Sequence, residues 1–285
     1  MIHSQPLPTR SDLPAGEVAD TGCAEPACSV VPNAAMLEPT PRIATPTPLQ
    51  VSLVVPVFNE RDNIAPLLKE ITQVLRGRIA FEVIYVDDGS QDDGLEVLIA
   101  LKPTCPELRV LHHVVRSGQS TAIRTGVKAA RAPWVATLDG DGQNDPGDLP
   151  RLLAERDRAS VDTRLFAGWR VQRRDTLSKR WASRWANAIR SRMLGDATPD
   201  TGCGIKLFER EAFLELPYFD HMHRYLPALM QRAGFKTVSI PVHHRVRSSG
   251  VSKYGNLQRA LVGLRDLRGV TWLIDRSQRT PVQEL

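Results

Sequence analysis

Asp139, Asp141 and Gln143 place two carboxylates and an amide oxygen at alternate positions, separated by Gly140 and Gly142. They follow the apolar run Trp134-Val135-Ala136-Thr137-Leu138. Hard oxygen donors set this closely at the end of a buried strand suit Mg²⁺ or Mn²⁺. Such cations keep several waters and complete their shell with substrate phosphates. The chemistry expected is therefore metal-assisted handling of a phosphorylated ligand, with Asp139, Asp141 and Gln143 as the metal residues.

Positioning these groups requires a sheet, and the flanking sequence reads as one. Val51–Val55, Phe81–Val86, Leu108–His112, Trp134–Leu138 and Arg164–Ala167 are short apolar runs rich in β-branched residues. Between them Asn63–Arg76, Asp92–Leu101, Ser117–Ala130 and Asp148–Arg156 read as helices. Strand–helix alternation with short connections predicts an α/β fold, a mostly parallel sheet covered by helices on both faces. In such sheets ligands bind beyond the carboxyl ends of the strands. Polar clusters stand at those ends: Asn59-Glu60, then Asp87-Asp88-Gly89-Ser90, then the Asp139 cluster. Mutual repulsion among three acidic clusters on one rim calls for a cation or ordered donors.

The chain has 285 residues and a formal net charge of +5. Between Arg164 and Arg192 nine Arg and Lys face the single acid Asp175. A local field of that sign attracts phosphates or anionic lipid. Nucleic acid is excluded as a partner because no stacking platform or reader motif accompanies the charge. Four scattered cysteines form neither a disulfide framework nor a zinc site. No apolar run reaches the ~18 residues of a membrane span, and no signal peptide is expected. Residues 1–48 hold nine of the 21 prolines and no periodicity, which predicts a disordered tail. A catalytic domain is expected over 49–255 and an amphipathic helix with a tail over 256–285.

Three motifs occur in a telling order: Pro56-Val57-Phe58-Asn59-Glu60, Val86-Asp87-Asp88-Gly89-Ser90 and Asp139-Gly140-Asp141-Gly142-Gln143. Together they resemble family 2 glycosyltransferases of the GT-A (Rossmann-like) fold. Arg247-Ser248-Ser249-Gly250-Val251-Ser252-Lys253 resembles an element of the dolichol-phosphate mannosyltransferase branch, whose bacterial members load polyprenyl phosphates. The resemblance covers about Val51 to Trp272. It implies that Pro56, Phe58, Glu60, Val86 and Asp88 line the nucleotide pocket. It also implies that Asp139, Gly140, Asp141 and Gln143 hold metal and diphosphate, with Arg170 near the phosphates. Arg247 and Lys253 would clamp donor or acceptor phosphate. Ser117 stands where family members often carry asparagine, and Phe58 replaces a common tyrosine.

The implied reaction is inverting transfer of a hexose, mannose or glucose foremost, from a nucleotide diphosphate sugar to a polyisoprenyl phosphate. A phosphate monoester with a second pKa of about 6 is already nucleophilic at neutral pH. It needs cations such as Arg170, Arg247 and Lys253 more than a base. A hydroxyl acceptor, as in polysaccharide or glycolipid synthesis, would need a base, and Asp200 is the candidate. A non-catalytic nucleotide-sugar-binding or scaffold protein of the same fold is the alternative of another class. Leu177, Trp181, Trp185, Ile189 and Met193 recur near helical spacing among basic residues, as do Leu257, Leu261, Leu264 and Leu267. Both segments are expected to touch a membrane surface. The localisation that follows is cytoplasmic and peripheral on the inner membrane face. The tandem histidines His112-His113 and His243-His244, with His221 and His223, are read as surface or loop residues, and His244 as an acceptor-side contact.

Overall fold

The computed structural model describes residues 48–171, 190–196, 198–245, 256–277 and 283, all within the unit Pro46–Leu285. Apart from Pro48, the tail expected over 1–48 lies outside the described residues. So do Arg247, Lys253, Trp181 and Trp185.

Seven strands form one sheet: β1 (Val51–Val57), β2 (Phe81–Asp87), β3 (Leu108–His112), β4 (Trp134–Thr137), β5 (Thr163–Arg170), β6 (Lys206–Glu209) and β7 (Lys236–Val242). Their order is β3-β2-β1-β4-β6-β5-β7. The pairings β1–β2, β1–β4, β2–β3 and β5–β7 are parallel. Strand β6 runs antiparallel between β4 and β5. The sheet is thus mostly parallel, as the alternation predicts.

Strands β6 and β7 escape a reading of apolar runs for different reasons. Strand β6 has four residues and opens on a lysine. Strand β7 pairs only with β5, contains Pro241 and is half-exposed, so it carries no continuous apolar signal.

Two cores lie on opposite faces of the sheet. One is built from α1 (Arg61–Leu75), α2 (Gly94–Leu101) and α4 (Leu149–Arg158). The stripe Ile64, Leu67, Leu68, Ile71 and Leu75 is buried there along α1. The other face is covered by α3 (Gln119–Ala129), α5 (Arg210–Leu214), α6 (Leu226–Arg232) and α7 (Asn256–Asp275).

Helix α7 is docked rather than loose. Val270 is fully buried, the Tyr225 hydroxyl donates to the Gly263 carbonyl at 3.1 Å, and Arg232 Nε donates to the Leu273 carbonyl at 2.8 Å. Full burial of one such aliphatic side chain stabilises by ~1.5–3 kcal/mol. Leu267 packs toward this core, whereas Leu264 and Trp272 face outward. Among the described residues no helix is long and apolar enough to cross a membrane.

Candidate active site

Strand β1 sits between β2 and β4, so successive connections leave it in opposite directions and open a crevice at its carboxyl end. The Asp139 turn occupies that crevice. Leu138 is sealed in the core, and the Asp139 amide donates to Asn144 Oδ1 at 2.8 Å. Gly140 is required by proximity: a Cβ there would lie 2.5 Å from Val57 Cγ1 and 2.9 Å from the Pro56 carbonyl. Gly142 takes a φ of 71°, turning the chain so that the Gln143 amide donates to Asp141 Oδ1 at 3.1 Å.

Among the described residues Asp139 receives one side-chain hydrogen bond, from Gln119 Nε2 at 2.8 Å. Its carboxylate packs so tightly on Gly204 that a Cβ there would fall within 2.1–2.6 Å of the carboxyl atoms. Burial, and then the neighbouring Asp141 charge, raise the Asp139 pKa, while Lys206, Arg170 and Gln119 pull the other way. The charge is therefore incompletely compensated by the protein.

A divalent hard cation fits this donor set, which is all oxygen and carries repulsion that a cation relieves. Among the described residues no group of three His, Cys, Asp or Glu forms a closed metal cage. Two carboxylates and an amide leave most of an octahedral shell to water and ligand oxygens, the habit of Mg²⁺ and Mn²⁺.

The expected nucleotide side is held by hydrogen bonds between strand ends. Asn59 adopts a φ of 52°, its amide donates to Ser90 Oγ at 3.0 Å, and its Oδ1 accepts from the Gln91 amide at 2.7 Å. Glu60 stands at the start of α1 and accepts from Asn63 Nδ2 at 2.8 Å. The Arg116 guanidinium lies 4.1 Å from the centroid of the Phe58 ring, within cation–π range. Pro56 lines a cavity beside Asp139. The Val86 side chain is fully buried in the core, which leaves only its backbone to face a ligand.

The tandem acids of β2 are internally paired. Asp87 Oδ2 pairs with His112 Nδ1 at 2.7 Å, and its Oδ1 accepts from Ser90 Oγ. Asp88 Oδ1 pairs with His113 Nδ1 at 2.8 Å and accepts from the Ser117 amide at 2.9 Å, while Oδ2 accepts from the Gly118 amide at 2.8 Å. His112 and His113 are thus partners of buried carboxylates rather than idle surface groups. The parallel register Asp87↔His112 brings the two pairs face to face.

On the other side of the crevice, Arg170 Nε and Nη2 donate to Asp200 Oδ2 and Oδ1 at 2.6 and 2.9 Å. Burial alone would weaken the guanidinium charge; the hydrogen bond and charge of Asp200 outweigh it and raise the Arg170 pKa. Asp200 is consequently committed to a bidentate ion pair.

The segment after β7 is fastened to the Asp139 turn. The Arg245 amide donates to the Gln143 carbonyl at 3.0 Å, and His244 bridges Asn144. Arg245 also pairs with Asp145 at 2.7 Å and with Glu70 at 2.5 Å, and His243 pairs with Asp148 at 2.9 Å. The bridge sets His244, expected on the acceptor side, next to the Asp139 turn. Arg247 and Lys253 follow two and eight residues after this anchor, outside the described residues.

Sequence reasoning missed Gln119, Asn144, Lys206 and His223. Gln119 opens α3 directly after Gly118, whose φ is 91°, and that start of a helix was its only signal. Lys206 is 4% exposed, and His223 Nδ1 bonds Ser120 Oγ at 2.7 Å. Burial lowers the pKa of both. Both line the cavity beside Asp139, whose lining runs from Pro56 to Leu226, a proximity invisible in the primary order.

The family model for glycosyl transferase family 2 matches residues 52–216. The dodecaprenyl-phosphate galacturonate synthase of Rhizobium johnstonii is 35% identical over 235 residues, covering 79% of this chain and 68% of the relative. The undecaprenyl-phosphate 4-deoxy-4-formamido-L-arabinose transferase of Sodalis glossinidius is 33% identical, covering 72% and 63%. The chain thus spans about two thirds of the length of these curated relatives. Glucosyl-3-phosphoglycerate synthase from Mycobacterium tuberculosis, solved with Mn²⁺ and UDP, superposes with a TM-score of 0.60 at 21% identity, covering 80% of each chain. A mannosyltransferase from Pyrobaculum calidifontis, solved with GDP-mannose and Mn²⁺, gives 0.60 at 21% identity, covering 82% of this chain and 66% of its own. These two likenesses establish the GT-A fold. Family match, sequence identity and fold agree: the chain is an enzyme belonging to glycosyl transferase family 2.

Proposed function

We propose that this glycosyltransferase moves a sugar from a nucleotide diphosphate to a polyisoprenyl phosphate at a membrane surface. The observation that carries the acceptor class is the Arg170–Asp200 pair. Asp200 is the carboxylate that a hydroxyl acceptor would need as base, and both of its oxygens accept from Arg170. A phosphate acceptor dispenses with that base. The names of the relatives, both polyprenyl-phosphate sugar transferases, point the same way. Their sugars, galacturonate and a formamido-arabinose, widen the donor beyond the mannose or glucose expected from sequence.

In this reading Phe58, Glu60 and the β1–β2 rim hold the nucleoside, with Pro56, Val86 and Asp88 shaping the rim. Asp139, Asp141 and Gln143 hold Mg²⁺ or Mn²⁺, with Gly140 giving the turn its closeness to β1. A bound cation supplies Lewis-acid stabilisation of negative charge on the departing nucleoside diphosphate. Arg170 keeps its place through Asp200 and offers positive charge to an incoming phosphate, and Arg247 and Lys253, two and eight residues after Arg245 in the chain, add to it. An acceptor phosphate oxygen forms the bond to the anomeric carbon as the bond to the diphosphate oxygen breaks, its electron pair leaving with the nucleotide and the anomeric centre inverting.

The outward face of α7, with Leu264, Arg265, Arg268 and Trp272, suits an anionic bilayer. The placement that follows is peripheral, on the cytoplasmic membrane face. Incubation with Mn²⁺ or Mg²⁺, undecaprenyl phosphate and a panel of labelled nucleotide sugars is expected to give one labelled lipid. Label appearing only on added glycan or glycolipid hydroxyls would overturn the acceptor assignment.

A further inference from the structure

The cavity beside Asp139, of about 110 Å³, has a wall whose charge the reaction above does not use. On that measure it holds roughly eight waters. It runs from Gln119 and Asp139 at the rim down to Phe208 and Leu226 of the core. Lys206 lines it while 4% exposed, and its ammonium donates only to the Cys203 carbonyl among the described residues. An ammonium has three donors, so two remain unmet in a buried position. Among the described residues no carboxylate forms an ion pair with Lys206: Asp200 is taken by Arg170, and Asp139 accepts from Gln119, so both act on the ammonium only at longer range. Arg224 also lines the cavity, and its guanidinium makes no hydrogen bond or ion pair among the described residues. An unpaired buried cation is costly unless a ligand completes it.

We infer that this cavity is a donor-sugar subsite whose Lys206 and Arg224 select a sugar bearing a carboxylate, a nucleotide-linked uronic acid. The inference rests on the proposed donor site, because the sugar is the group next to the diphosphate that Asp139 and Asp141 would hold. The inner end of the cavity, at Phe208, Phe213 and Leu226, has room for a small ring rather than for a long-chain lipid phosphate, whose tail must leave the cavity. A carboxylate here gives Lys206 the direct ion pair that no described residue supplies, and Arg224 offers it a planar fork.

The test is calorimetric binding in Mn²⁺ of matched pairs that differ only at the sugar C6: UDP-galacturonate with UDP-galactose, and GDP-mannuronate with GDP-mannose. UDP and GDP alone serve as the third arm. Wild type is expected to bind the acid of one pair at least tenfold more tightly than its neutral partner. Lys206→Met, close in volume, and Arg224→Gln are each expected to bring that ratio to within twofold of unity. Equal affinity for acid and neutral sugars in wild type, with UDP or GDP still binding, overturns this inference alone. Failure of every nucleotide to bind overturns the donor site as well. A Lys206→Met protein that keeps the acid preference but raises KM for undecaprenyl phosphate reassigns the cavity to the acceptor.

Discussion

Two strand ends of this molecule carry paired carboxylates, and they are used in opposite ways. At the end of β2, Asp87 and Asp88 are buried and bonded by the side chains of His112, His113 and Ser90 and by three backbone amides. At the end of β4, Asp139 has one side-chain donor, and Asp141 stands close enough to raise its pKa. The first pair spends its charge on fixing the β3–α3 loop and the start of α3. At the second, Asp139 keeps a buried charge that Lys206, Arg170 and Gln119 only partly offset. Acids after an apolar strand thus differ in how far the fold answers their charge, and the Asp139 carboxylate is the less answered.

This contrast can be broken most sharply at Asp139. Asp139→Asn is expected to lower metal-dependent sugar transfer by at least about 10³-fold, or ~4 kcal/mol of barrier, with no fall in the thermal unfolding midpoint. A fall in midpoint would move Asp139 into the structural class. Next in size is Asp200→Asn, which strands Arg170 with side-chain exposures of 14% and 6% for the pair. A loss of about 3–5 kcal/mol is expected in denaturant titration, and an Arg170→Met/Asp200→Leu double variant should recover over half of it. Asp88→Asn should cost about 2 kcal/mol, since the charged acceptor of two amides is lost. If it leaves stability intact and weakens nucleotide binding instead, the comparison between the strand ends fails.

Acid titration sharpens the same point with opposite signs. Burial would raise the Glu82 pKa, but Ser52, Arg109 and the Arg131 amide outweigh it and lower it. Its stabilisation is present above the unfolded carboxylate value of about 4.3 and is lost as pH falls through the lower folded value. The stability advantage of wild type over Glu82→Gln should therefore shrink below pH ~4.3. Asp139 is raised, so its favourable contribution is present below the unfolded value of about 3.9 and is lost as pH rises through the folded one. In metal-free buffer, Asp139→Asn should gain on wild type as pH rises above about 3.9. The smallest effect is expected on α7, where Arg268→Ala weakens sedimentation with anionic liposomes by about fivefold, ~1 kcal/mol per basic residue.

Much of the fold was legible because the central strands are buried on both faces and read as apolar runs. Five strands and four helices could be placed from such periodicity, and the glycine-spaced turn at Asp139 marked the crevice. Strands β6 and β7 were not legible, being short or at the sheet edge. The tandem histidines carried no signal either, because pairing of His112 with Asp87 depends on the register of β2 on β3.

By itself the sequence determined which oxygens could meet a cation, that they stand at strand ends, and that the chain resembles family 2 glycosyltransferases. These properties are local, written in spacing and hydrophobic period. Only the tertiary structure decided which charges are already answered. It gave Asp88 to His113 and Asp200 to Arg170, and it left the Asp139 charge only partly offset, by Lys206, Arg170 and Gln119. The physical reason is that the net charge of a site is a sum over residues distant in the chain, and only packing brings them within hydrogen-bond reach.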